Sequence, residues 1–73
     1  MADIVLRIRL TGGGHIDVKY EEAELDADEL VEHAVSTLAQ DTGVLRCRHG
    51  DRLVVLYGRG VSAVEVAPRG AVL

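Results

Sequence analysis

One stretch of the chain, residues 25–43 (LDADELVEHAVSTLAQDTG), has the sequence pattern of an amphipathic helix. Asp26 and Glu29 have the spacing of a capping box, in which each side chain accepts a hydrogen bond from the other residue's backbone N–H. The apolar positions recur every three or four residues and form one stripe: Leu30, Val31, Ala34, Val35 and Leu38. Gly43 is suited to ending the helix. Because one helix cannot bury such a stripe on itself, the rest of the chain must supply a sheet for it.

Strand-like segments lie on both sides of this helix. Apolar and polar residues alternate over most of these segments, which is typical of half-buried strands. The segments are residues 4–10, 15–20, 44–48, 53–57 and 61–67. Glycine-containing turns separate them at residues 11–14, 49–51 and 58–60. The sequence therefore predicts one α+β domain over residues 1–73, in two layers and in the order ββαβββ. A mainly antiparallel sheet of four or five strands carries one helix on one face.

The fourth segment, residues 53–57 (LVVLY), is apolar on both faces. That pattern is typical of a central or doubly covered strand. The close spacing of the last three strands favours a meander.

Composition limits the class of protein. With 73 residues the chain buries only about 60% of its unfolded surface. Its single cysteine, Cys47, excludes an internal disulfide and is compatible with a reducing cytoplasm. No signal peptide opens the sequence, and no apolar run approaches the roughly 18 residues of a membrane span. We therefore expect a soluble cytoplasmic protein without a membrane partner.

The formal net charge of −4 is unevenly distributed. Residues 21–41 contain eight acidic residues and no lysine or arginine. With the helix on the inward face, the basic residues of the strands would share the open face of the sheet: Arg7, Arg9, Lys19, Arg46 and Arg48. This pattern predicts a basic sheet face and an acidic helical side.

The residue types of catalytic and metal sites are present but scattered. Cys47 and His49 lie two apart on a strand and could begin a metal site or an activated thiol, but zinc needs three or four ligands. His15 and His33 lie on other elements. No serine has a histidine and a carboxylate that the sequence brings near it. The sequence therefore predicts a protein that is not an enzyme and has no cofactor or metal.

Two apolar sets suggest an interface. Val44, Val54 and Leu56 are expected on the open face among the arginines, where an apolar patch with a charged rim is typical of a binding surface. Val72 and Leu73 end the chain and could add to a sheet edge. We therefore expect a homo-oligomer, or binding of a partner protein, through the sheet face or an edge.

Nucleic-acid binding through the five basic residues of the open face is the alternative. Sheets that bind RNA combine such residues with exposed aromatic rings that stack on bases. The chain has two tyrosines, and Tyr20 falls on the buried face, which leaves Tyr57. The acidic overall charge also disfavours contact with phosphates.

Three segments together resemble a family of short, uncharacterised actinobacterial proteins of about this length. They are the capped helix at residues 28–35, the turn at residues 50–52 leading into Leu53-Val54-Val55, and the closing segment at residues 61–66. The resemblance covers most of the chain and implies a bacterial source, but no activity and no catalytic residues.

Residues 4–43, a hairpin with Leu10-Thr11-Gly12 followed by an acidic connection and the helix, are similar to the opening of ubiquitin-like β-grasp domains. The chain closes with Ala71-Val72-Leu73, not with the Gly-Gly terminus of the carriers in that family. The resemblance therefore does not extend to sulfur-carrier or conjugation chemistry.

Overall fold

A computed structural model describes residues 2–67 of the protein and confirms the predicted α+β fold. The elements are β1 (Ala2–Leu10), β2 (His15–Glu22), α1 (Ala27–Leu38), β3 (Val44–His49), β4 (Arg52–Tyr57) and β5 (Val61–Val66), with a 3₁₀ turn at Gly58–Gly60 between the last two strands. All pairings in the one five-stranded sheet are antiparallel.

The helix begins where the capping box predicts. Asp26 accepts a hydrogen bond from the backbone N–H of Glu29 (2.9 Å), and Glu29 accepts one from that of Asp26 (3.1 Å). It ends at Leu38, five residues before Gly43, so the expected helix is too long at this end. The backbone at Ala39 is still right-handed, and Gly43 has no positive φ, so a left-handed glycine does not cap the helix.

The core lies between the helix and the inner face of the sheet. From the helix, Leu30, Ala34 and Leu38 are buried, while Val35 is half exposed. The strands contribute the other buried side chains: Leu6, Ile8, Val18, Tyr20, Leu45, Cys47 and Leu56. The predicted burial of the apolar stripe is thus correct for Leu30, Ala34 and Leu38 and wrong for Val35 at its margin.

The strand order is β4-β3-β2-β1-β5, which differs from the prediction in two respects. Residues 53–57 lie on an edge strand rather than a central one. The last three strands do not form a meander, because β5 pairs with β1, where Ile8 faces both Ile16 of β2 and Val64 of β5. Strand spacing along the sequence did not reveal this order, because the link between β4 and β5 is short although these strands lie at opposite edges.

That short link requires the sheet to curl. Four strand spacings of about 4.8 Å would separate the edges of a flat sheet by roughly 19 Å. The link from Tyr57 to Val61 spans at most about 14 Å when fully extended. The turn therefore runs across one end of a coiled sheet, where Gly58 donates a hydrogen bond to the carbonyl of Gly43 (2.8 Å) and Gly60 accepts one from Thr11 (3.0 Å).

Gly43 and Gly58, which face each other there, lie directly against the end of the helix. A Cβ atom on Gly43 would overlap the carbonyl oxygen of Thr37, and one on Gly58 would overlap the carbonyl oxygen of Gln40. These glycines are required for close backbone approach and not for an unusual φ.

Gly58→Ala should therefore lower the free energy of unfolding by about 1–3 kcal/mol, because the added methyl group displaces the end of α1. Gly60→Ala is the matched control, since nothing lies within 4 Å of a Cβ at that position. Urea denaturation of both variants measures the difference. Equal stabilities would contradict the close approach.

Candidate protein-interaction surface

The pairing of β3 with β4 decides which side chains face outward. Leu45 lies opposite Leu56 and Cys47 opposite Val54, and these four side chains face the helix. The prediction that Val54 and Leu56 lie on the open face is therefore wrong: Leu56 is only 6% exposed. An error of one residue in register moves every side chain of a strand to the other face, and the length of the turn after His49 sets that register here.

The open face at this end of the sheet is formed by the alternate residues. Its members, called the β3–β4 patch below, are Val44, Arg46, Arg48, Leu53, Val55 and Tyr57. The apolar members are exposed by 40% (Val44), 62% (Leu53), 37% (Val55) and 54% (Tyr57). Of the three predicted interface residues within residues 2–67, Val44 alone is placed as expected. Leu53 and Val55 were not predicted to lie on this face. The signal for them is the alternation that buries Leu45 and Cys47, continued through the tight turn into β4.

The other half of the open face carries ion pairs. Arg7 donates two hydrogen bonds to the carboxylate of Asp17, at 2.9 and 3.3 Å. Arg9 is paired with Glu65, and Lys19 lies 3.3 Å from Asp3. All these side chains are substantially exposed, so the pairs contribute little to stability. Their main effect is that the acids neutralise the positive charges of Arg7, Arg9 and Lys19.

The Arg7–Asp17 pair also shifts the ionisation of both groups. The hydrogen bond from Arg7 lowers the pKa of the Asp17 carboxyl, and the hydrogen bond to Asp17 raises the pKa of the Arg7 guanidinium. Both groups therefore stay charged, and the pair stays formed, throughout the neutral range.

The open face is consequently less basic than the sequence predicts. Five basic residues (Arg7, Arg9, Lys19, Arg46 and Arg48) share it with four acidic ones (Asp3, Asp17, Glu21 and Glu65). Among the described residues, salt bridges join three of the five to acids but leave out Arg46 and Arg48. The unneutralised positive charge is thus concentrated within the β3–β4 patch.

Cys47 and His49 contact different parts of the molecule. The Cys47 thiol is buried, where desolvation raises its pKa to about 11, and its Sγ donates to the carbonyl of Val54 at 3.6 Å. His49 is exposed at the end of β3, and its Nδ1 lies 2.6 Å from the carbonyl oxygen of Asp17. A protonated, buried thiol is a poor nucleophile and a poor metal ligand. The buried Cys47 thiol is therefore unsuited to either role.

The opposite side of the molecule is acidic, as predicted. Asp28, Glu29 and Glu32 are exposed along the helix beside His33, whose ring stacks on that of Tyr20 with 6.1 Å between centroids. The grooves here are open to solvent. Within residues 2–67 no group of three or more histidine, cysteine, aspartate or glutamate side chains is placed to hold a metal ion.

The predicted interface residues Val72 and Leu73 lie outside the described residues. No helix in the described part of the chain is long and apolar enough to cross a membrane. The chain matches no protein-family model, and neither a curated protein nor a solved structure matches it.

The register of β4 can be tested by truncating neighbours on opposite faces. Leu56→Ala should cost about 2–4 kcal/mol of unfolding free energy, because it leaves a cavity beneath the helix. Leu53→Ala removes the same atoms from an exposed site and should cost no more than about 0.5 kcal/mol. Urea denaturation in dilute solution separates the two. A larger effect at position 53 would reverse the assignment of the faces.

Proposed function

We propose that the protein is a small, non-enzymatic interaction module that binds protein, either another copy of itself or a different partner, through the β3–β4 patch. The observation that carries this proposal is the exposure of Leu53, Val55 and Tyr57 side by side on one edge strand, with Val44 beside them. A contiguous apolar surface of this kind is costly to leave in water, and covering it favours association.

The composition of the patch supports protein as the ligand. Aromatic residues and arginine are enriched in protein interfaces, and Tyr57 with Arg46 and Arg48 supplies both. The arginines flank the apolar row on the neighbouring strand, where they could pair with acids of a partner. Such a module would act in the cytoplasm, where its thiol stays reduced, and would regulate a partner by occupying its surface.

Site-specific photo-crosslinking in the cells that produce the protein tests this proposal. A benzophenone amino acid replacing Tyr57 should give protein adducts, because a bound partner covers this position. The same amino acid replacing Val35, which is 49% exposed on the helix, is the matched control and should give few adducts.

A second substitution makes that test specific. Leu53→Ser in the chain labelled at position 57 removes an apolar contact without altering the crosslinker, and should reduce the adduct about tenfold. Adducts that form equally at positions 35 and 57, or that are insensitive to Leu53→Ser, would refute the proposal.

Nucleic-acid binding is the second candidate, and one observation favours it. Arg46 lies diagonally across the strand pair from the exposed Tyr57, since it and Val44, the partner of Tyr57, are on the same face of β3. A base could stack on Tyr57 while the arginines contact phosphates. Against this, acids neutralise Arg7, Arg9 and Lys19, so few cations remain to track a phosphate backbone.

We expect weak or no retention on heparin and no binding to a labelled oligonucleotide at physiological salt. A nucleic-acid binder would instead show salt-dependent retention that falls when Arg46 and Arg48 are both replaced by alanine. Asp17→Asn and Glu65→Gln together expose Arg7 and Arg9, and retention that appears only in this variant would identify neutralisation as the reason.

A further inference from the structure

Strand β4 forms an edge of the sheet, and residues 53–57 lack the features that usually prevent an edge strand from pairing with another chain. Exposed edges generally carry charges, proline or bulges that prevent pairing with another chain. Residues 53–57 contain no charged residue, proline or glycine. The other edge, β5, carries Glu65, and its register against β1 shifts between Arg9 and Leu10.

The backbone N–H and C=O groups of alternate residues in β4 point away from the sheet. The hydrogen bond from Gly58 to Gly43 identifies these two as a hydrogen-bonded pair. Such pairs alternate along an antiparallel ladder, so the N–H and C=O groups of Leu56 and Val54 point toward β3. Those of Leu53, Val55 and Tyr57 point outward, away from the sheet.

Each of these three residues thus has an exposed side chain and backbone N–H and C=O groups that point away from the sheet. Within residues 2–67, no backbone hydrogen bond from a turn, loop or cap reaches the N–H or C=O groups of Leu53 and Val55. The C=O of Tyr57 precedes the 3₁₀ turn and accepts its first hydrogen bond. The helix packs on β1, β2, β3, β5 and the 3₁₀ turn, so its main contacts do not cover this edge. An added strand would satisfy these groups and cover the side chains together.

We propose that the added strand is β4 of a second copy of this chain, paired antiparallel about a two-fold axis through Val55. The two five-stranded sheets then continue as one sheet of ten strands. This inference rests on the proposed function and names the partner that occupies the β3–β4 patch.

The argument for a second copy is the self-complementarity of β4. In this register Val55 faces the partner's Val55, and Leu53 faces the partner's Tyr57. Because the axis is normal to the sheet, the open faces of both copies lie on the same side and their apolar rows merge. A shift by two residues in either direction would place Tyr57 opposite the partner's Asp51 or Leu53 opposite the partner's Arg59. The register centred on Val55 therefore pairs apolar side chains throughout.

The charges of this region are compatible with the same register. Arg52 is the only charged residue of β4, and it lies opposite the partner's Gly58. Arg46 and Arg48 belong to β3, one strand away from the seam. No like charges meet across the seam. The pairing also gives residues 53–57 the central position that their apolar pattern is typical of.

Sedimentation of the whole chain at micromolar concentration tests the stoichiometry. We expect a species of twice 7.9 kDa. Val55→Glu should raise the dimer dissociation constant about tenfold or more, because two carboxylates meet at the axis. In each monomer the new side chain lies opposite Arg46, so the fold is retained. Circular dichroism verifies this.

Ala63→Glu is the matched control. It places the same charge on the open face of the other edge strand, opposite Arg9, and should leave the dimer unchanged. A dimer disrupted by Ala63→Glu and not by Val55→Glu would overturn both this inference and the proposed patch.

A chemically synthesised chain with a methyl group on the backbone nitrogen of Val55 distinguishes edge pairing from face-to-face packing. The methyl group blocks an outward N–H and changes no side chain, so an edge-paired dimer should dissociate. A dimer that resists N-methylation but is lost in Val55→Glu would overturn edge pairing and leave the proposed patch standing. A wild-type chain that sediments only at 7.9 kDa would exclude the second copy, and crosslinking at position 57 then decides on a different partner.

Discussion

The fold depends on how closely the single helix approaches the curled sheet. Leu30, Ala34 and Leu38 fill the concave face, but the end of the helix reaches that face only because Gly43 and Gly58 carry no side chains. The same glycine pair holds the link that joins the two edges of the sheet. Curvature, helix position and strand order are therefore coupled at one point, and a methyl group there disturbs all three.

Local signals in the sequence were sufficient for the elements and most of the core. The capping box placed the start of α1. Alternation assigned Leu6, Ile8, Val18 and Tyr20 to the inward face, where they are buried. These signals act within a few residues of the chain. The order of the strands depends instead on the curl of the sheet, which no local pattern encodes.

The proposed binding surface was harder to predict for two physical reasons. Which residues of β4 face outward depends on the turn at residues 50–51, so a single-residue error exchanged Leu56 with Val55 as the exposed residue. The charge of the open face depends on which acids lie beside which cations. Asp3 and Glu65 are distant from Lys19 and Arg9 in sequence, and only strand pairing brings them together.

The two edge strands of the sheet, β4 and β5, differ in the features that decide whether a further strand can pair with them. A protein with two adhesive edges adds copies without end and forms a fibre, whereas one with a single adhesive edge stops at a pair. Glu65 and the register shift near Leu10 make β5 a poor template for a further strand, so in the proposed dimer β4 is the pairing edge. In that dimer the asymmetry between these two strands would end assembly at two copies.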